Sequence, residues 1–210
     1  MIDQIEWLGH GTFLLHSTPN AAGECTRIYI NPWRIAQAER PADVILVSSE
    51  RFDRCSLADI RKLCAPHTRI IAPEQAASLI QECDVIRPWQ SISLDRACVQ
   101  AIPACTASGE HTGLGFVVSM QHHDIYYSGD TALTPEIRRV RADIALLSLN
   151  EEESLRPEEA AQAAVQVGAR WVIPYDWGSG ASRATRIDAL SLARELKGKA
   201  DTILQSPTRG

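Results

Sequence analysis

The chain has 210 residues, 45% of them hydrophobic and 22% charged, ordinary proportions for a folded protein that exclude disordered, collagen-like and low-complexity readings. Its 21 Lys and Arg against 26 Asp and Glu leave a formal net charge of -5, the wrong sign for binding phosphate backbones, so no nucleic acid and no anionic membrane surface is expected as partner. The longest apolar runs, Val44–Val47 and Ile144–Leu147, fall far short of the roughly 20 residues a membrane span needs, and Met1-Ile2-Asp3-Gln4 opens no secretory leader, so the expected location is the cytoplasm.

The length fits one domain over residues 1–210. Short β-rich runs come first, at Ile2–Leu8, Thr12–Leu15 and Arg27–Ile30, parted by the Gly9-His10-Gly11 turn and a polar loop over Ser17–Glu24. Alternation follows: a buried strand Val44–Val47, a helix Leu57–Cys64, a strand Arg69–Ala72 and a helix Glu74–Gln81. A second β-rich block occupies Ser91–Leu94, Ala97–Ile102, Leu114–Met120 and Ile125–Ser128. Ile144–Leu149 then reads as a strand, Pro157–Val167 as a helix with proline at its start, Trp171–Pro174 as a strand and Ile187–Lys197 as a last helix. One rhythm occurs twice, β-rich then alternating, and this predicts an α+β protein built as a four-layer αββα sandwich. Six cysteines, with no C-x-x-C pair among them, indicate neither a disulfide framework nor a zinc ribbon.

Several landmarks in order resemble the metallo-β-lactamase fold superfamily, and among its branches the one containing ascorbate-6-phosphate lactonase and related zinc hydrolases. They are Trp7-Leu8-Gly9-His10, Ile30-Asn31-Pro32-Trp33, Val44-Ile45-Leu46-Val47-Ser48, Ile102-Pro103-Ala104, Gly113-Leu114-Gly115-Phe116, Tyr127-Ser128-Gly129-Asp130-Thr131, Pro157-Glu158-Glu159-Ala160 and Val172-Ile173-Pro174. The resemblance covers nearly the whole chain and implies a dizinc hydrolase whose ligand loop reads Thr-His-x-His-x-Asp-His.

Here that loop reads Ser48-Ser49-Glu50-Arg51-Phe52-Asp53-Arg54. The three histidine positions hold Ser49, Arg51 and Arg54, and Asp53 is retained. The next ligand position falls near Cys105, the bridging carboxylate is kept as Asp130, and the last histidine is replaced by Asp176. An arginine has no lone pair to give a metal and stays protonated. Three clustered carboxylates against two guanidinium groups predict a salt-bridge network in place of two zinc ions, with at least one of Asp53, Asp130 and Asp176 paired to Arg51 or Arg54.

This leads to the expectation of a non-zinc pseudoenzyme or small-ligand-binding protein, without cofactor. The alternative is a hydrolase of lactones or phosphorylated sugar acids using one magnesium or manganese ion on Asp53, Asp130 and Asp176, since hard ions prefer oxygen. Cys105 is a candidate nucleophile, and His10, Ser49, Arg51, Arg54 and His111 are candidate pocket residues. A metal-independent route would have Cys105 attack while Arg51 or Arg54 stabilises an oxyanion. His122-His123 is expected on an exposed hairpin turn and Glu151-Glu152-Glu153 as a solvated helix cap, while Tyr175 and Trp177 beside Asp176 are either a stacking surface for a ligand or, as is commoner at a strand end, packing. Relatives in the branch assemble, so a homo-oligomer is a further expectation.

Overall fold

The computed structural model describes residues 1–36, 40–150, 154–178 and 182–208. The chain forms two compact units, Met1–Arg87 with Ser206–Gly210, and Pro88–Gln205. The expected Glu151–Glu153 cap lies outside the described residues.

Among the described residues, the first unit carries six strands in the order β1 to β6: Ile5–Gly9, Thr12–His16, Arg27–Ile30, Val44–Leu46, Arg69–Ala72 and Asp84–Val85. The first three run antiparallel and the rest parallel, joined by helices α1 (Leu57–Leu63) and α2 (Glu74–Ala77). One sheet face closes a core of Leu14, Tyr29, Ile45, Val47, Ile60, Leu63 and Ala72, the outcome expected when continuous apolar strands are covered by helices. Ser56 caps α1 by accepting from the Asp59 amide, and Asp59 in turn accepts from the Arg34 and Ile35 amides at 2.8 and 3.1 Å, which fixes the loop after β3 to the start of α1.

The second unit repeats the scheme. β7 (Ser91–Ser93), β8 (Cys98–Cys105), β9 (His111–Met120) and β10 (His123–Tyr127) are antiparallel neighbours, and β11 (Ile144–Ser148), β12 (Trp171–Tyr175) and β13 (Asp201–Thr202) continue in parallel. Helix α3 (Pro157–Val167) starts on Pro157, whose missing N–H costs nothing at that position, and ends on Gly168 at φ 78°. Helix α4 (Arg186–Glu195) starts on the Thr185–Asp188 capping box. Both pack on a core of Tyr126, Ala145, Leu147, Ala164, Val167, Val172, Ala189 and Leu192.

Four local readings are corrected. Ile2–Gln4 is a 3₁₀ turn closed by the Gln4 amide on Met1 O, so β1 begins only at Ile5. Helix α2 stops at Ala77, because the Ser78 hydroxyl bonds Gln75 O and the next amides reach only three residues back. β6 and β13, two residues each, carry no periodicity to read. His122 is exposed in a turn at φ 63°, whereas His123 begins β10 half-buried, with its Nδ1 at 2.9 Å from Gln121 O.

Candidate functional site

Of the nine candidate residues, His10, Ser49, Arg51, Asp53 and Arg54 belong to the first unit, and Cys105, His111, Asp130 and Asp176 to the second. The loop that follows β4 is aimed by Asn31, which is buried and held at φ 46° at the end of β3. Its side chain donates to Ser48 Oγ and accepts from the Ser48 amide, each at 2.8 Å, while its carbonyl accepts from Thr12 Oγ1 at 2.7 Å. Three strand ends are thereby pinned, and the chain beyond Ser48 has a defined departure. The Arg54 and Cys55 amides both return to Arg51 O, at 2.8 and 2.7 Å, closing a tight turn with Phe52 at its tip.

That turn presents the Asp53 carboxylate to three groups. Oδ2 accepts from His10 Nε2 at 2.7 Å, Oδ1 accepts from Arg51 Nε at 3.2 Å, and Arg54 Nη1 lies 3.4 Å from Oδ2. The expected pairing of a retained acid with arginine is therefore present in the first unit. Asp53 is 3% exposed and Arg54 1%, whereas the Arg51 side chain is 40% exposed. Burial alone would raise the carboxyl pKa, yet the His10 hydrogen bond and the charges of Arg54 and Arg51 outweigh it and hold Asp53 ionised, well below the usual carboxylate range.

His10 is buried and shapes the turn it stands in. It sits in the β1–β2 turn at φ 51°, pinned by Trp7 Nε1 donating to its carbonyl at 2.7 Å, and its ring lies 4.8 Å from that of Trp33. Ser49 is buried and its hydroxyl meets no hydrogen-bond partner among the described residues.

In the second unit the acids leave the sheet at one edge. β10 and β12 flank β11 in parallel, so Asp130, three residues past Tyr127, and Asp176, directly after Tyr175, both follow carboxyl ends. The two exits are tied together: Tyr175 OH donates to Gly129 O at 3.3 Å, and the Ser148 amide donates to Ser128 Oγ at 3.1 Å. Gly129 can only be glycine here. It has φ 65°, and a Cβ would stand 2.5 Å from Leu114 O, just as one on Gly115 would stand 2.7 Å from Tyr127 O. Asp176 is itself at φ 65° and buried, beside Tyr175, which stacks on Tyr127 at 5.0 Å, and Trp177, whose Nε1 donates to Pro174 O. The two aromatics are packing, as expected.

Cys105 ends β8 on the same edge, with its amide donating to Thr131 Oγ1 and its carbonyl accepting from the Ala132 amide. Its Sγ lies 3.5 Å from His111 Nδ1. Burial, then the nearby Glu136 charge, push the thiol pKa up, so Cys105 is largely protonated at neutral pH and is no ready nucleophile. The pair opens on a cavity of about 420 Å³ walled by Trp89, Pro103, Leu133, Glu136 and Arg139. Trp89, under the Arg139 guanidinium at 3.9 Å, and Phe52 had no periodic signal in sequence, since both stand in loops.

The residues present do not fit the dizinc group. Asp53 already faces an imidazole and two guanidinium groups, and within either unit no three described His, Cys, Asp or Glu side chains gather as a metal-ion site. No helix among the described residues is long and apolar enough to cross a membrane.

Comparison with known proteins adds the lineage. Residues 4–176 match the beta-lactamase superfamily domain model. The chain is 29% identical over 194 residues to a protein of Methanoculleus marisnigri named UPF0173 metal-dependent hydrolase, covering 83% of this chain and 80% of that one. A protein of the same name from Methanocorpusculum labreanum is 27% identical, with 81% of each covered. Among solved structures, a proposed metal-dependent hydrolase from Parabacteroides distasonis shares the α+β fold with TM-score 0.83 at 23% identity, over 96% of this chain and 91% of that one. The pseudoenzyme or small-ligand-binding expectation is corrected by these relatives, which carry hydrolase names. In the first unit Asp53, His10, Arg51 and Arg54 form an ordered charged cluster. With the family model matched over most of its length, the chain belongs to the beta-lactamase superfamily.

Proposed function

We propose that the protein is a hydrolase of small anionic esters, of the lactone or phosphorylated sugar-acid kind implied by its resemblance to the ascorbate-6-phosphate lactonase branch. The observation that carries this reading is Arg51. Its guanidinium is anchored on a buried carboxylate through Nε and Nη2, at 3.2 and 3.4 Å, while the side chain stays 40% exposed. A planar cation fixed in this way is suited to carboxylate and phosphate oxygens, and its ordering cost is already met before substrate arrives. Arg54 and His10 keep Asp53 ionised, and Asp53 fixes the Arg51 fork. The names of the relatives support hydrolysis as the reaction.

Zinc has no part in the proposed reaction. Asp130 and Asp176 offer the oxygen donors that suit one magnesium or manganese ion, and such an ion when bound would supply Lewis-acid activation of water. Asp53 is left to the arginines. Purified protein should hydrolyse a lactone or a phosphate ester when magnesium or manganese is supplied, and the activity should fall at least 100-fold in Asp130→Asn and in Asp176→Asn. No turnover of any such ester with magnesium or manganese would overturn the proposal, and so would turnover supported by zinc alone.

A further inference from the structure

Phe52 is the most exposed large hydrophobic side chain among the described residues, at 77%, and it stands between Arg51 and Asp53. It is not a loose loop tip. The turn beneath it is closed by the Arg54 and Cys55 amides on Arg51 O, and the flanking side chains are bound to each other. Its ring meets that of Trp33 edge-on, with centroids 6.4 Å apart and planes at 72°. Trp33 contacts the His10 ring at 4.8 Å, and His10 bonds Asp53, which bonds Arg51. A second cation, Arg34, lies 4.2 Å over the Trp33 ring. An exposed ring and a half-buried one thus form a corner that is connected, contact by contact, to an anchored guanidinium.

We propose that this corner receives the apolar face of the substrate while Arg51 holds its anionic group, so that the substrate is an anion with a flat ring or acyl body next to its charge. The inference rests on Arg51 as the anion holder. Leaving a phenyl ring in water costs burial energy that folding could have used, while the three positions that follow it, Asp53, Arg54 and Cys55, are buried. The ring directly follows Arg51 in the chain, and the contacts through Trp33, His10 and Asp53 lead from it back to that guanidinium. Stacking against an aromatic ring adds a few-fold to affinity for a ligand with a planar apolar body and nothing for one without it.

Binding tested apart from turnover separates this inference from the hydrolase reading. Phenylphosphonate and methylphosphonate, neither of them a hydrolase substrate, are titrated into wild type, Phe52→Ala, Phe52→Trp and Arg51→Ala by calorimetry. Wild type should prefer the phenyl compound by about 2- to 12-fold, the factor for one aromatic pair. Phe52→Ala should lose that preference while binding methylphosphonate unchanged, Phe52→Trp should keep it, and Arg51→Ala should weaken both compounds. Equal binding of the two compounds by wild type, a preference that survives in Phe52→Ala, or no binding of either would overturn the inference. So would sedimentation showing that wild type self-associates and Phe52→Ala does not, since the ring would then be an interface between copies. A preference that behaves as expected in a protein without any hydrolysis would leave this inference standing and sink only the proposed reaction.

Discussion

The loop over Ser48–Arg54 is organised around ion pairs, whereas the turn that carries Asp130 is organised around a close backbone approach. In the first unit Asp53 is kept buried and ionised by side chains, an imidazole and two guanidinium groups, and removing one partner leaves charge uncompensated. In the second unit the chain beside Asp130 is fixed by close approach: a Cβ on Gly129 would stand 2.5 Å from Leu114 O, and Thr112 Oγ1 donates to Asp130 O. Electrostatic placement tolerates changes of shape better than changes of charge. Steric placement does the reverse.

The largest effect should come from shape. Gly129→Ala adds a carbon 2.5 Å from a backbone oxygen at a positive φ, where nothing flexible can yield, and should cost about 5 kcal/mol or more, or prevent folding, in urea denaturation. Gly109→Ala, with φ 86° but nothing within 4 Å of the added carbon, should cost only about 1–2 kcal/mol. Equal losses in the two variants would show that φ alone, and not close approach, constrains Gly129.

Charge follows. Arg54→Ala removes a guanidinium 1% exposed and should destabilise by about 3–5 kcal/mol, whereas Arg51→Ala, at 40% exposure, should cost about 1 kcal/mol or less. The reverse order would mean that exposure is a poor guide in this loop. The same contrast governs pH. Asp53 has a folded pKa below its unfolded value of 3.8, so its pairing stabilises fully above about pH 5 and the contribution is lost as pH falls through 3.8 towards the folded value. Asp53→Asn should flatten the acid limb of stability against pH. A limb unchanged in that variant would assign acid sensitivity to other carboxylates.

The smallest effect concerns Cys105. Burial and Glu136 both raise its pKa, so alkylation by iodoacetamide should be slow at pH 7 and gain rate as pH rises, and Glu136→Gln should shift that profile modestly downward. A profile that ignores Glu136 would leave burial as the whole cause.

Where elements were legible in sequence, local chemistry was strong. Pro157 and the residues after it mark α3, and the apolar runs Val44–Leu46 and Ile144–Ser148 are buried strands as their composition requires. Helix α2 failed because Ser78 competes for carbonyls that helical pattern alone assigns to amides. The ordered landmarks and the two arginines beside Asp53 could be read directly, and so could the need of buried acids for cations.

Sequence by itself determined the α+β rhythm and the family, because each follows from residue type and order. Only the tertiary structure decided that Asp53 is the acid facing His10, Arg51 and Arg54 in the first unit, that Arg54 is buried while Arg51 is not, and that Phe52 stands in solvent beside Trp33. Those outcomes depend on where the Asn31–Ser48 clasp sends the loop and on how tightly its turn closes. Neither leaves a period or a spacing in the chain, since contacts between residues 17 to 43 positions apart are fixed by packing and geometry, not by any local preference.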